Sequence, residues 1–278
     1  MSPDEFVITI ISLILAALAW WRLYSPLVHH RNAGRGGSER RLLGLAPLLC
    51  AAALLTVLLA WASSDVRNNP IYLIFYTVFG AAVVGALMFL TPLLGLSIRD
   101  DAIERCNVAA AYAASGIMLG LTGCYAGANI GDGPGWWVVL FCAMLSSAGF
   151  LVLWAIVEGA GHIAETITIE RDEGAGLRFG LFAVAVGAIL GRSVAGDWVS
   201  AQDTLVDFGG FMWPAAALAV IEVIAARSMR RGESGPAGDA GASGVSGEAG
   251  GSALPGLAVG LLYIAGALIY LGWLGLWT

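Results

Sequence analysis

The chain contains no lysine, so all 14 of its basic residues are arginine. Charged residues of either sign make up only 12% of the 278 residues, whereas a soluble domain has about 25%. This shortage argues against a large soluble core, and the net charge of −6 argues against a nucleic-acid partner. We associate the exclusive use of arginine with a GC-rich bacterial genome.

Motifs for catalysis and for metal binding are missing too. The sequence has no Walker loop, no His-Glu-x-x-His pair, no Gly-x-Ser-x-Gly elbow and no dinucleotide fingerprint followed by an acid. Its four cysteines form no Cys-x-x-Cys pair, so we interpret them as reduced apolar residues. His162 lies at helical spacing from Glu158 and Glu165, but zinc sites usually use two or more His or Cys ligands. We therefore expect no enzyme, no cofactor and no metal site.

Apolar sequence is abundant. Hydrophobic residues make up 58% of the chain, and its mean hydropathy is +0.80. Crossing a bilayer takes about 20 mostly apolar residues in a helix, which also satisfies its own backbone polar groups. We predict an all-α integral membrane protein, a bundle of about eight transmembrane helices. The predicted spans are 5–24, 42–62, 71–96, 107–127, 136–159, 174–196, 207–226 and 255–276.

Arginine is unevenly distributed among the loops between these spans. The loops after the first, third, fifth and seventh spans carry nearly all of it, whereas the opposite loops carry mainly aspartate. Because arginine-rich loops stay on the cytoplasmic side, both termini are predicted to lie outside the bacterial inner membrane. The arginines concerned are Arg31, Arg35, Arg40, Arg41, Arg99, Arg105, Arg171, Arg227, Arg230 and Arg231.

The middle of the chain contains an internal repeat. The triplet Ile-Glu-Arg at 103–105 recurs 66 residues later at 169–171, and a small-residue span and then a Gly-Asp pair follow each copy. Since each unit has two spans, both copies cross the membrane in the same direction, which predicts a parallel tandem repeat.

These features divide the chain into four parts. We predict an N-terminal two-span hairpin, a first and a second two-span repeat, and a C-terminal pair of spans separated by a flexible cytoplasmic linker rich in Gly, Ser and Ala. The boundaries are 1–70, 71–132, 133–198 and 199–278, with the linker at 232–254.

The first charged turn reads IERCNVAAA from Ile103 to Ala111, a Glu-x-x-Asn-x-Ala-Ala pattern that opens a helix. The second turn, from Ile169 to Gly176, has Glu173 where the first has Asn107. With these turns, residues from about 74 to 198 resemble two copies of a bacterial membrane family catalogued as domain of unknown function 350. The resemblance implies an integral inner-membrane protein of two-span repeats and implies no established reaction.

The two turns are the first candidate site. Glu104, Arg105 and Asn107 come from the first repeat, and Glu170 and Arg171 from the second. The turns could together form an ion or partner site. Alternatively, Asn107 caps the helix that it precedes, and the charged residues lie at the membrane interface.

Charge within the spans gives a second candidate site. Arg178 and Arg192 are 14 residues apart on one span, about 40° around the helix, so they lie roughly on one face. Glu158 and Glu222 lie at the depth of Arg178 and could each pair with it. Charge is costly in lipid, so these residues could line a polar path along 174–196.

The alternative for both arginines is that their long side chains reach the two interfaces and pair locally. Asp197 or Asp207 could then form an ion pair with Arg192. The glycines of the two small-residue spans are open to the same two interpretations, as the lining of a pathway or as close helix packing.

With no reaction motif, we expect a non-catalytic protein with a structural or regulatory role in the cell envelope. Its partners would be the lipid bilayer and either further copies of itself or other membrane proteins. The alternative is a channel or transporter for a small ion or metabolite.

Overall fold

The computed structural model describes residues 2–29, 37–233 and 253–275. Within these ranges the chain is helical and has no strand. A 3₁₀ segment, Met88–Leu94, and a π-helical segment, Ile98–Glu104, join the fourth and fifth α-helices. The α-helices are α1 Pro3–His29, α2 Ser38–Trp61, α3 Ser64–Arg67, α4 Pro70–Leu87, α5 Val108–Gly127, α6 Trp136–Gly161, α7 Ile163–Thr168, α8 Glu173–Arg192, α9 Ala201–Phe211, α10 Trp213–Glu233 and α11 Ala253–Trp273.

Seven of the described helices are long and apolar enough to cross a membrane. The number rises to eight if α9 and α10, bent by 42° at Met212, count as one span. The span predicted at 207–226 is therefore not one straight helix. Pro214 explains the break, because proline has no N–H to continue the ladder of the preceding helix. The other predicted spans agree with observed helices to within a few residues.

Some predicted features fall outside the described residues. Arg31 and Arg35 of the first arginine-rich loop do so, as does almost all of the linker predicted at 232–254. At the near end of that linker, α10 continues as helix to Glu233.

Helices α5 and α8 form the centre of the bundle. In their most apolar stretches 72% and 78% of the residues are buried, compared with 17% in α1. The two helices pack directly on each other. The remaining long helices therefore lie around this central pair.

Glycines bring the backbones of α5 and α8 into contact. A Cβ atom added at Gly116 would meet the backbone of Gly180, and one at Gly127 would meet the backbone of Gly191. The contacts advance together along both helices, so α5 and α8 run parallel. This glycine seam, which is the structural outcome for the predicted small-residue faces, comprises Gly116, Gly120, Gly123 and Gly127 of α5 and Gly176, Gly180, Gly187 and Gly191 of α8.

The outer helices pack similarly on the two halves. On one side α2 packs on α5 and α1 on α4, where the indole of Trp20 donates to the carbonyl of Ala81 at 2.9 Å. On the other side α11 packs on α8 and α10 on α6. A further glycine contact, between Gly256 and the backbone of Gly174, joins α11 to α8.

Segments 70–131 and 136–196 follow the same order of elements. Each has a long helix, a residue in the left-handed region, a short helix, a second left-handed residue, a 20-residue helix and a left-handed glycine. Positive φ is uncommon outside glycine, so its recurrence at matching points is a specific likeness. The left-handed residues are Gly95, Cys106 and Gly131 in the first segment and His162, Arg171 and Gly196 in the second.

We expect Gly187→Ala to lower the free energy of unfolding by about 1–3 kcal/mol, because its methyl group would collide with the backbone of Gly120. Gly44→Ala on α2 is the matched control, since nothing lies within 4 Å of the added atom. The control is expected to be neutral or slightly stabilising, as alanine favours helix. Denaturant titration in mixed micelles measures both, and equal stability of the two variants would contradict the seam.

Candidate functional site

Arg178 and Glu222 form a buried ion pair that joins α8 to α10. Nε of Arg178 donates to both carboxylate oxygens of Glu222, at 3.0 and 3.1 Å, and the two residues are 2% and 0% exposed. The hydroxyl of Tyr263 on α11 donates to the same carboxylate at 2.7 Å. Nη1 of Arg178 also lies against the sulphur of Met229. The carboxylate of Glu222 and its two partners thus join α8, α10 and α11.

Glu158, the other carboxylate considered for Arg178, has a different role. Its Oε2 accepts the backbone N–H of Ala164 at 2.7 Å, across the left-handed turn at His162 that separates α6 from α7. The side chain therefore closes a turn. It is half-buried and belongs to the same end of the bundle as the ion pair.

Arg192 pairs with neither of the aspartates considered for it. Its Nη1 donates to the carbonyl of Ala195 at 3.3 Å, and the side chain is half-buried. Asp197 instead accepts the backbone N–H of Asp132 at 2.8 Å. The arginine thus bonds to the backbone just beyond its own helix.

The face of α8 between the two arginines is apolar. Phe182, Ala185 and Ile189 follow Arg178 at spacings of three or four residues, and each is at most 2% exposed. A polar path along 174–196 would have to pass these packed side chains. The structure brings together Arg178 and Glu222 and leaves Glu158 and Arg192 apart from them.

Asn107, at the end of the bundle that we call the Asn107 end, caps α5 and reaches the second turn. Its Oδ1 accepts the N–H of Ala110 at 3.2 Å, and its Nδ2 donates to the carbonyl of Ile167 at 2.8 Å. From the other side, Arg171 donates to the carbonyl of Arg105 at 3.2 Å. The two turns are therefore cross-linked through backbone carbonyls.

The corresponding cap of α8 is Asp172. Its carboxylate accepts the N–H groups of Gly174 and Ala175 at 2.8 and 3.2 Å. The two caps are 65 residues apart, one fewer than the 66-residue period of the triplet. Asn107 therefore corresponds to Asp172, and the predicted match with Glu173 is wrong by one residue. A carboxylate and an amide oxygen both suit an N-cap, which explains why the pattern differs there.

The acidic members of the two turns are more exposed. Glu104 forms an ion pair with Arg99 at 3.1 Å, and Arg105 forms one with Asp101 at 3.1 Å. Glu170 is exposed in the second turn. The Glu104–Arg99 pair is exposed on both sides, and such pairs contribute little to stability, so the cross-linked carbonyls are the better-defined feature of the turns.

Sequence reasoning missed a cavity at the opposite end, which we call the Asp132 end. It lies among α3, α4, α6 and α9 and the chain just beyond the ends of α5 and α8, and it has a volume of about 80 Å³. Tyr76, Asn129, Asp132, Asp197 and Asp207 are among its lining residues. The recurring Gly-Asp pairs were the only sequence signal for this place; Asn129 lies just before the first pair, whereas Tyr76 comes from a distant part of the chain.

No group of His, Cys, Asp and Glu side chains suited to a metal ion occurs in the described ranges. Comparison of the chain with protein-family models, with curated proteins and with solved structures gave no match.

Glu222→Gln is expected to lower the free energy of unfolding by about 3–5 kcal/mol, since it leaves the Arg178 charge buried and uncompensated. Replacing both partners, as Arg178→Met with Glu222→Leu, should restore most of the loss. The matched control is Glu158→Gln, whose amide can still accept the Ala164 N–H, at a loss of about 1 kcal/mol. A double variant as unstable as the single one would contradict the assignment of the loss to an uncompensated charge.

Asn107→Ala should lower the free energy of unfolding by about 2–3 kcal/mol, because it removes a cap and the bond to the second turn. Asn69→Ala is the comparison, since Asn69 caps α4 through Ile71 only, and its loss should be about 1 kcal/mol. Denaturant titration of both variants measures the difference. Equal losses would show that the bond between the turns contributes nothing.

Proposed function

We propose that the chain is an inner-membrane protein of the family catalogued as domain of unknown function 350, built around a parallel tandem repeat. The matching order of elements in segments 70–131 and 136–196 supports the repeat. The register of the glycine seam supports it as well, since Gly116 meets Gly180 and Gly127 meets Gly191, both 64 residues further on. That offset is close to the period of the repeat, as a pseudo-two-fold axis between α5 and α8 requires.

The orientation remains the one predicted from arginine, with both termini on the outer side. The Asn107 end carries the charged turns with Arg105 and Arg171, so it would face the cytoplasm. The Asp132 end, where Asp132 and Asp197 meet, would face outward.

Within this frame we propose a non-catalytic structural or regulatory role in the cell envelope, exercised through partners or self-assembly. The glycine seam carries the proposal, because it fills the centre of the bundle with backbone in contact. A bundle closed in this way is a rigid platform. Its outer helices, α1 and α2 above all, expose long apolar faces to lipid or to neighbouring proteins.

The channel or transporter alternative has weaker support. It requires a polar path along α8, and apolar side chains occupy that face between Arg178 and Arg192. The Arg178 charge is already neutralised by Glu222. A path elsewhere would have to avoid the central seam.

We expect liposomes that contain the purified protein to show no substrate-dependent flux of potassium, chloride or small amino acids above that of empty liposomes. The physical reason is the filled centre of the bundle. Arg178→Ala and Arg192→Ala are assayed alongside. Reproducible flux that falls in these variants would overturn the proposal in favour of a transporter.

Cross-linking in native membranes, followed by purification and mass spectrometry, tests the assembly role. We expect a defined complex, with copies of the chain or with a recurring membrane partner. A chain recovered only as a monomer without partners would contradict the role. The orientation is tested in the same strain with a reporter that is active only outside the cytoplasm, fused to each terminus. We expect both fusions to be active.

A further inference from the structure

The cavity at the Asp132 end lies where the two repeat units meet. Both units contribute equivalent positions to its wall, so it straddles the axis between α5 and α8. Gly131 and Gly196 are one such pair, and Asp132 and Asp197 are another. The backbone N–H of Trp198 donates to the carbonyl of Asp132 at 2.8 Å, which closes this part of the wall. The cavity is therefore a built feature of the fold.

The rim of the cavity is negatively charged. Asp132, Asp197 and Asp207 are exposed there, and no Arg or His is among the described residues that line it. A second cavity adjoins it and shares Tyr76 and Ser63, and its own lining adds Glu5 and Asp65. Clefts with walls of one charge raise the local concentration of ions of the opposite sign. The rim thus favours a cation and disfavours an anion.

The base of the cavity contains polar groups that lack partners. Tyr76 is only 7% exposed and lines both cavities, and its hydroxyl makes no hydrogen bond within the described part of the chain. Asn129, a second lining residue, is 6% exposed; its Nδ2 donates to the carbonyl of Tyr125 at 2.8 Å, and its Oδ1 makes no hydrogen bond in the described ranges. Neither oxygen is among the described side-chain atoms that are sealed from solvent without a partner, so both are accessible and can accept a hydrogen bond from a ligand at this place.

The position of Tyr76 is itself fixed. Its backbone carbonyl accepts the hydroxyl of Tyr125, fully buried on α5, at 2.7 Å. Its ring packs edge-on against Phe75, with ring centroids 4.8 Å apart. The backbone and ring of Tyr76 are therefore positioned by contacts that do not involve the phenol oxygen.

We propose that this cavity binds a small organic ammonium ion. The acidic rim would attract the charge, and the oxygens of Tyr76 and Asn129 would accept N–H bonds at the base. A metal ion fits less well, because no set of ligands suited to one converges there among the described residues. The ring of Trp198, which lines the cavity, suits a cation at its face. The volume accommodates about five water-sized groups, which corresponds to an amine of a few heavy atoms.

The test uses the full chain in lipid nanodiscs of uncharged phosphatidylcholine, with radiolabelled ethylammonium as the probe in equilibrium dialysis. We expect saturable binding of one ion per chain, and none of ethanol, which has the same size without charge. Tyr76→Phe and Asp207→Asn should each weaken binding about tenfold, as loss of a charge-assisted bond does. Asp203→Asn is the matched control, since Asp203 lies on the same helix as Asp207 and bonds to Ser200 outside the cavity.

Thermal unfolding of each variant confirms that it is folded before binding is measured. The proposal is overturned if folded wild-type protein binds no ethylammonium saturably. It is also overturned if Tyr76→Phe and Asp207→Asn bind as well as Asp203→Asn, or if calcium binds at the site in preference to ethylammonium. None of these outcomes bears on the scaffold role, which does not depend on a ligand.

Discussion

The contact between the backbones of α5 and α8 is the constraint on which the rest of the structure depends. In lipid no hydrophobic effect drives helices together, so close packing of small residues has to supply the attraction. Glycines three, four or seven residues apart, and therefore on one face of each helix, remove the side chains that would hold the two helices apart. The charged turns, the flanking helices and the cavity are all positioned by α5 and α8.

The buried ion pair extends this order to the periphery. Taking Arg178 and Glu222 out of water is costly, and their mutual attraction offsets that cost together with the hydrogen bond that Tyr263 donates to the carboxylate. The pair therefore contributes less to net stability than to choosing one arrangement of α8, α10 and α11. Its position at one end of α8, with apolar packing beyond it, agrees with a fixed bundle better than with a conduit.

The two ends of the bundle differ in character. At the Asn107 end, side chains of each charged turn bond to the backbone of the other turn. At the Asp132 end, the matching aspartates surround an opening whose base has polar groups without partners. An organisation with one closed end and one open end suits the platform and the ligand site that we propose.

The sequence allowed the helical class, most span positions and the glycine faces to be predicted, because these follow from local composition and spacing. It also placed Glu222 among the two candidates for Arg178, since depth is readable from distance to a span end. It could not choose between Glu158 and Glu222, because that depends on which helices are neighbours. The break at Met212 could have been inferred from Pro214, whereas the cavity could not, since its residues come from separate parts of the chain that meet only when the helices pack.

Disulfide cross-linking at the ends of α5 and α8 tests the central packing most directly. The chain would carry Asp132→Cys and Asp197→Cys, with its four native cysteines replaced by alanine, and would be oxidised in intact membranes. We expect rapid formation of an intramolecular disulfide, because the backbone N–H of Asp132 lies 2.8 Å from the Asp197 carboxylate. If no such bond forms, or if only bonds between chains form, α5 and α8 do not run side by side in one direction and the central glycine seam is wrong.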